Sequence, residues 1–399
     1  MRYPEVRLNR GADRTLLNGH PWVFSGAVAQ APQDAAPGQV VDVHNHRGRF
    51  VVRGFYNPHS AIRVRALTQE RTQAVDRAFF ATAIRRALEV RRRSGLEQRT
   101  NAMRLVHGES DGLPGLVVDR YAGYLVVQFH TSGMEGVRTD IIDVLEEEVH
   151  PLGLYERSDV GTRRAEGLPD RPTGLLRGQA PPELVEIHED GVPLVVDLYR
   201  GQKTGFFLDQ RDNRAALQRL SGGQSLLNCF AYSSAFSAHA LYGGAARTLD
   251  VDVAPEALPA ARLNLSRNCG PQAHWDYVIA SVFPLLDELA ERGPRFDIVV
   301  LDPPSLVRKQ RQAEQALGVY TMLNRNALRL VRTGGLLVTA SCSTRVSAED
   351  FFQVVRHAAV GARVHVRITA STFQPADHPV DPAFPEGRYL KCIFARVLR

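Results

Sequence analysis

Cys342 stands in LLVTASCST, at the end of an apolar run and between two serines. A thiolate is a strong nucleophile, whereas C5 of a pyrimidine is a poor one. Addition of a thiolate to C6 makes C5 enamine-like, able to take a methyl group from a sulfonium donor; loss of the C5 proton then expels the thiolate. A second stretch, FDIVVLDPPS (296–305), ends its apolar run on Asp302, a group suited to hydrogen-bond such a base near N3 and its exocyclic amine. Pro303 and Pro304 stiffen the exit and remove two backbone donors, which suits a rigid grip on a base flipped from its stack. The same letters also read as a strand terminator with a capping aspartate. A third stretch, NCFAYSSAFSAHA, joins an apolar run to a helix through a small-residue turn containing Ser233, and the next apolar run ends in Asp252. An acid at that step suits the paired hydroxyls of a ribose. There is no GxGxxG, so the turn alone reads equally as a plain strand-to-helix connection.

Elements must bring these residues together. From about residue 190, apolar runs alternate with helical stretches: LLNCF, RTLDVD, WDYVIA, FDIVVLDPP and GGLLVTASC, each followed by an amphipathic segment. This alternation predicts βαβ units in a doubly wound, mostly parallel α/β sheet, with ligands at the carboxyl ends of its strands. Cys342, Asp302 and Asp252 all fall there. Upstream, residues 1–70 read as short strands of a small β-rich barrel or sandwich. Residues 71–100 supply a linker helix, 101–188 a small α+β unit, and 189–399 the sheet domain. The helix carries Arg85, Arg86, Arg91, Arg92 and Arg93, a solvated face or a surface for RNA. Before the first sheet strand, GQKTGFFLDQRDNR packs Lys203, Gln210, Arg211 and Arg214 around an aromatic pair, either a polar binding surface or a cap of ordinary ion pairs.

Composition sets bounds. The 399 residues are 44% hydrophobic and 23% charged, ordinary for a globular chain. Four cysteines without a CxxC pair argue against a zinc knuckle or a disulfide framework, and no metal is expected; Cys229 and Cys269 read as small hydrophobes. No apolar run is long enough to span a bilayer and no signal sequence opens the chain, so a cytoplasmic protein with no membrane partner is expected. The net charge of +6 permits an acidic partner. Only three of the 49 Lys and Arg residues are lysine: Lys203, Lys309 and Lys391. In such a background each lysine marks a place that arginine fits poorly.

Taken in order, GHPWVFSGAV, RGFYNPHSAIRVR, RLVHGESDGLPGLVVDRY, YERSD, GQKTGFFLDQRDNR, LLNCFAY, LDPPS and TASCS resemble the bacterial cytosine-C5 methyltransferases of 23S ribosomal RNA that carry an N-terminal PUA domain. The resemblance covers essentially the whole chain. It implies a PUA barrel at 1–70, a central EEHEE RNA-binding domain at 101–188 and a Rossmann-like methyltransferase domain at 189–399. It implies S-adenosylmethionine as donor, Cys342 as nucleophile, Asp302 as catalytic aspartate beside the donor, and Asp252 as ribose ligand. The donor pocket would also draw on Phe230, Ala231, Tyr232, Ser233, Gln210 and Ser281. RNA would meet Lys203, Arg211, Pro303, Pro304 and Lys309, and the partner would be 23S rRNA or a large-subunit assembly particle. Members of the family can pair as homodimers. Two departures bear on the donor pocket: Ser233-Ser234-Ala235 stands where a Thr-Gly-Gly turn is usual, and Ser281 where an acid is expected. They motivate the reading of a non-catalytic RNA-binding or assembly factor; guanine N-methylation, which keeps the donor and needs no covalent cysteine, is a further alternative.

Overall fold

A computed structural model describes residues 3–306 and 313–398. The chain forms two units. The first runs to Val185 and takes in residues 202–206 and 376–387; the second takes in 186–201, 207–375 and the chain from 388. The expected boundary at 188/189 therefore falls inside a strand, Val185–Glu189, and two short downstream stretches fold with the first unit.

In the first unit, a six-stranded sheet is ordered Trp22–Phe24, Ile62–Thr68, Phe50–Tyr56, Val40–His44, Glu5–Leu8, Val28–Gln30. Alternation sends Val6, Leu8, Val41 and Val43 inward, all fully buried. A five-stranded sheet follows, with Ala102–His107, Leu116–Tyr121 and Tyr124–Phe129 as an antiparallel meander, then Gly153–Glu156 and Gly174–Gly178. The expected linker helix forms at Arg77–Arg93, where the Asp76 carboxylate caps the Phe79 amide at 3.0 Å. It is a core element rather than a linker: Phe80, Ile84 and Ala87 share one face and pack with Met103, Val106, Leu116 and Val118. Its basic face is largely committed. Arg91 is buried on Asp111 at 2.6 Å, Arg85 meets Glu148 at 2.7 Å, and both Arg92 and Arg93 pair with Glu89.

The second unit carries the α/β sheet. Its strands are β1 Ser225–Cys229, β2 Arg247–Asp252, β3 His274–Ile279, β4 Phe296–Leu301, β5 Val331–Ser341, β6 His365–Thr372 and β7 Lys391–Leu398, in the spatial order β3-β2-β1-β4-β5-β7-β6. The first five are parallel, and β7 lies antiparallel to both β5 and β6. Helices cover both faces, so the central strands are largely apolar, with Asn228, Thr248 and Asp250 as buried polar exceptions on β1 and β2. Leu227, Val299 and Leu337 point to one side, against α5 (Ala313–Leu330) and α6 (Ala348–Ala362). Leu226, Val300 and Val338 point to the other, against α1 (Arg211–Gln218) and α2 (Ala235–Tyr242). Full burial of each such side chain contributes about 1.5–3 kcal/mol, so the sheet is a rigid platform for what projects from its edge. Strand order reverses beside β1, which opens the ligand crevice at the carboxyl ends of β1 and β4.

Candidate active site

Register places the predicted residues along one edge. Cys229 of β1 is paired with Val251 of β2 and Leu301 of β4. The next residue on each strand is Phe230, Asp252 or Asp302, so these three share a level about 4.8 Å apart. Leu301 is paired with Thr339 of β5, which sets Cys342 level with Pro304 on the neighbouring strand. Ser281 follows β3 on the same edge and is exposed, at the N-cap of helix Val282–Arg292 without a side-chain capping bond.

The turn after β1 is built without glycine, yet Phe230, Tyr232 and Ser234 have φ of 62°, 47° and 61°. Such conformations cost on the order of 1 kcal/mol each and persist where surroundings over-determine them. Here the Tyr232 amide donates to Asp252 Oδ2 at 2.8 Å, the Ala231 amide to the Val251 carbonyl at 3.1 Å, and the Tyr277 hydroxyl to the Tyr232 carbonyl at 3.1 Å. Asn264 donates to the Ser233 carbonyl at 2.9 Å. Ser234, where the resemblance leads one to expect glycine, adds no outward side chain, because it is fully buried beneath the turn. It lies beside Asp250, whose pKa burial pushes up to about 7 against the opposing pull of Ser237 and Asn228.

This edge suits a nucleoside-bearing donor. Asp252 uses one lone pair of each oxygen on a backbone amide, Tyr232 at 2.8 Å and Ala254 at 2.9 Å, and a carboxylate keeps further acceptor sites for two hydroxyls. The Ser233 hydroxyl is buried in the turn and makes no hydrogen bond among the described residues, an acceptor and donor in reserve.

The β4–β5 side is held differently. The Gln210 amide donates to Asp302 Oδ1 at 3.0 Å, Asn213 donates to Gln210 Oε1 at 2.6 Å, and Thr372 donates to Asn213 at 2.5 Å. This relay aims Asp302. Gln210 was predicted as a donor ligand; its amide is nearly sealed and faces Asp302, so it serves as the aspartate's holder. Cys342 is half-buried, just past β5. The preceding Ser341 donates to the Tyr320 hydroxyl at 3.1 Å, and that hydroxyl also engages the Leu306 backbone in the loop after Asp302. Burial pushes Tyr320 up to about 12, so it is a neutral phenol that ties the loops carrying Asp302 and Cys342 together. Beyond Cys342 the chain enters α6 through a capping box: Ser347 accepts from the Asp350 amide at 3.0 Å, and Asp350 accepts from the Ser347 amide at 3.2 Å. Both sides of the cysteine are thus anchored. Cys229 and Cys392 are buried with raised pKa, as inert thiols should be, whereas Cys269 is only half-buried.

The five predicted RNA contacts fare differently. Arg211 is corrected: it is fully buried, 3.6 Å from Glu189, and no phosphate reaches it. Glu189 is equally buried and binds Arg214 through both oxygens, at 2.8 and 2.9 Å, with the His239 ring 3.4 Å away. Lys203 is exposed but folds with the first unit, its carbonyl accepting from Gln128 at 3.4 Å. Pro303 is buried and Pro304 exposed. Lys309 lies outside the described residues. Sequence reasoning missed Tyr320 and Asn213 as site-builders, and it gave Lys391 no role despite its rarity. Among the described residues, no helix is long and apolar enough to cross a membrane, and no group of three His, Cys, Asp or Glu is placed to hold a metal.

Comparison with known proteins agrees with this geometry. Residues 6–69 match the PUA-like domain family, and residues 162–385 match the S-adenosylmethionine-dependent methyltransferase family. Ribosomal RNA large subunit methyltransferase I of Salmonella arizonae is 39% identical over 396 residues, 99% of this chain and 98% of that protein. The Escherichia coli O139:H28 protein of the same name is 39% identical over 391 residues, 98% of each. Among solved structures, a methyltransferase complexed with SAH superposes with a TM-score of 0.85 at 22% identity, covering all of both chains. A SAM-dependent methyltransferase from Streptococcus mutans gives 0.84 at 22% identity, over 99% of this chain and all of that one. These two likenesses concern the fold.

Proposed function

The chain belongs to the ribosomal RNA large subunit methyltransferase I family of S-adenosylmethionine-dependent methyltransferases, and on that premise we propose that it methylates C5 of a cytosine in 23S rRNA through a covalent adduct of Cys342 with C6. The observation that carries the reading is the pairing of a half-buried thiol and an aspartate at the carboxyl ends of adjacent parallel strands, with one buried tyrosine tying their loops. S-adenosylmethionine, held at Asp252 and the β1 turn, supplies an electrophilic methyl group. Asp302, aimed by Gln210, hydrogen-bonds the flipped cytosine along N3 and its exocyclic amine. The Cys342 sulfur forms a bond to C6, moving electron density to C5. After C5 has gained the methyl group, its proton leaves to base and the electrons of that C–H bond restore the C5–C6 double bond as the C–S bond breaks. The base reaches this pocket by leaving its stack.

N-methylation of guanine, the main alternative chemistry, needs no thiol at this strand end. Incubating the protein with methyl-labelled donor and unmodified large-subunit rRNA or subunit particles, then identifying the labelled nucleoside, separates the two. Label in 5-methylcytidine is expected; label in a methylguanosine overturns the reading. Absence of label on either substrate, with no donor binding by calorimetry, would favour a non-catalytic RNA-binding protein.

A further inference from the structure

Lys391, the first residue of β7, lies opposite Ser341 of β5 in the antiparallel register, so it enters the sheet beside the loop that carries Cys342. The side chain is 4% exposed. Its ammonium donates to the carbonyl of Ser343, the residue after the cysteine, and to the Tyr389 carbonyl at 2.8 Å. Among the described residues it forms no ion pair with a carboxylate. A buried cation held only on neutral carbonyls is costly unless an anion forms nearby. It is also one of three lysines among 49 basic side chains, where a compact ammonium with three donors fits and a planar guanidinium does not.

We propose that Lys391 is a positioning residue for the reaction: its ammonium, fixed on the carbonyls of Ser343 and Tyr389, holds Cys342 as the thiolate that attacks the base. This rests on the reading of Cys342 as nucleophile. An opposite charge in a partly desolvated site favours the ionised form of its neighbour, and the effect is mutual. The surroundings agree in sign. Burial draws the Lys391 pKa down to about 8, while the Cys342 thiolate pulls it back up, Arg388 opposes, and Asp350 of α6 assists. At neutral pH the lysine therefore keeps its proton. The Tyr320 phenol also faces the cysteine and lies near Asp302; burial pushes its pKa up to about 12, so it is neutral.

Two measurements test this without RNA or donor, so their outcome is independent of whether cytosine is the target. The first is peptide-resolved alkylation of Cys342 by iodoacetamide as a function of pH. Wild-type protein should show a midpoint below the ordinary thiol value of about 8.5, and Lys391→Met should raise it, slowing alkylation at pH 7 about tenfold. The second does not depend on folding of the methionine variant. With only three lysines, ¹³Cε-lysine labelling gives three resolvable signals, two of them assignable through Lys203→Arg and Lys309→Arg. The Lys391 signal should titrate at lower pH in Cys342→Ser than in wild type, by about one unit. A Lys391 titration unchanged by Cys342→Ser overturns the proposal, as does a Cys342 midpoint unmoved in folded Lys391→Met. Both shifts with no methylated cytosine would leave the pair standing and remove the C5 reading.

Discussion

Two centres of buried positive charge lie in the methyltransferase unit, and they are satisfied in opposite ways. At Glu189, two arginines converge on one fully buried carboxylate, with the ring of His239, whose pKa burial lowers, 3.4 Å away. At Lys391, a single ammonium rests on two carbonyls, with the thiol of Cys342 and the Asp350 carboxylate acting on it from nearby. The first centre is complete within the protein. It welds the hairpin Val185–Glu189 and Val192–Val196 to α1 and α2, and offers nothing to a substrate. The second, on the proposed reading, gains its closest counter-charge when the cysteine ionises. Charge that the fold has already neutralised stabilises; charge left to be neutralised by a reactive group prepares chemistry.

The comparison predicts a dissociation between activity and stability. Cys342→Ala should lower methyl transfer by at least about 10⁴-fold while leaving the thermal midpoint within a few degrees of wild type, since the side chain is only half-buried, at the margin of the sheet's apolar cluster, and alanine removes one sulfur atom. Radiolabel incorporation and a melting curve on the same preparation check both halves.

Glu189→Ala should do the reverse. It leaves two arginines buried without their carboxylate and costs about 3–5 kcal/mol of stability, read by urea denaturation. The pH profile carries a sign. Burial alone would push Glu189 up, but Arg214, the His239 ring and Arg211 outweigh it and hold the group at about 2. A depressed carboxylate contributes its stability above the unfolded value near 4.3, and that contribution fades as pH falls from there toward 2. Wild type should weaken steeply across this window, and the alanine variant should show a shallower slope.

Two smaller effects sharpen the geometry. Asp252→Ala should weaken donor binding about 10–100-fold by calorimetry, because the carboxylate orients the β1 turn through the Tyr232 and Ala254 amides and, on the proposed reading, would accept from the donor's ribose. Tyr320→Phe, which loses the hydroxyl bridging Ser341 and the Leu306 backbone, should lower kcat roughly 3–10-fold with donor KM nearly unchanged.

The alternation of apolar runs makes the sheet legible, and with it the edge on which Asp252, Asp302 and Cys342 must stand. Periodicity reports which face of an element is buried, and in a parallel sheet that nearly fixes where ligands go. Partners across the sheet are not written locally. Arg211 reads as a surface cation because its compensating Glu189 comes from a hairpin upstream, joined only by tertiary packing. Gln210 reads as a donor ligand because its true partner, Asp302, arrives from a distant strand. Lys391 reaches Cys342 only through the antiparallel return of β7, though its rarity among so many arginines is a sequence signal that could have singled it out. The left-handed turn at Phe230, Tyr232 and Ser234 is likewise invisible in composition, since glycine is the usual mark of such backbone.

The most direct test of the covalent account uses RNA containing 5-fluorocytidine at the methylated position. Fluorine at C5 leaves no proton to lose, so an adduct formed at C6 cannot break down by that route. Denaturing gels should show a donor-dependent protein–RNA conjugate, with the nucleotide mapped to the peptide containing Cys342 and absent from Cys342→Ala. Undiminished methylation of ordinary RNA by the alanine variant, or a conjugate that maps elsewhere, would contradict it.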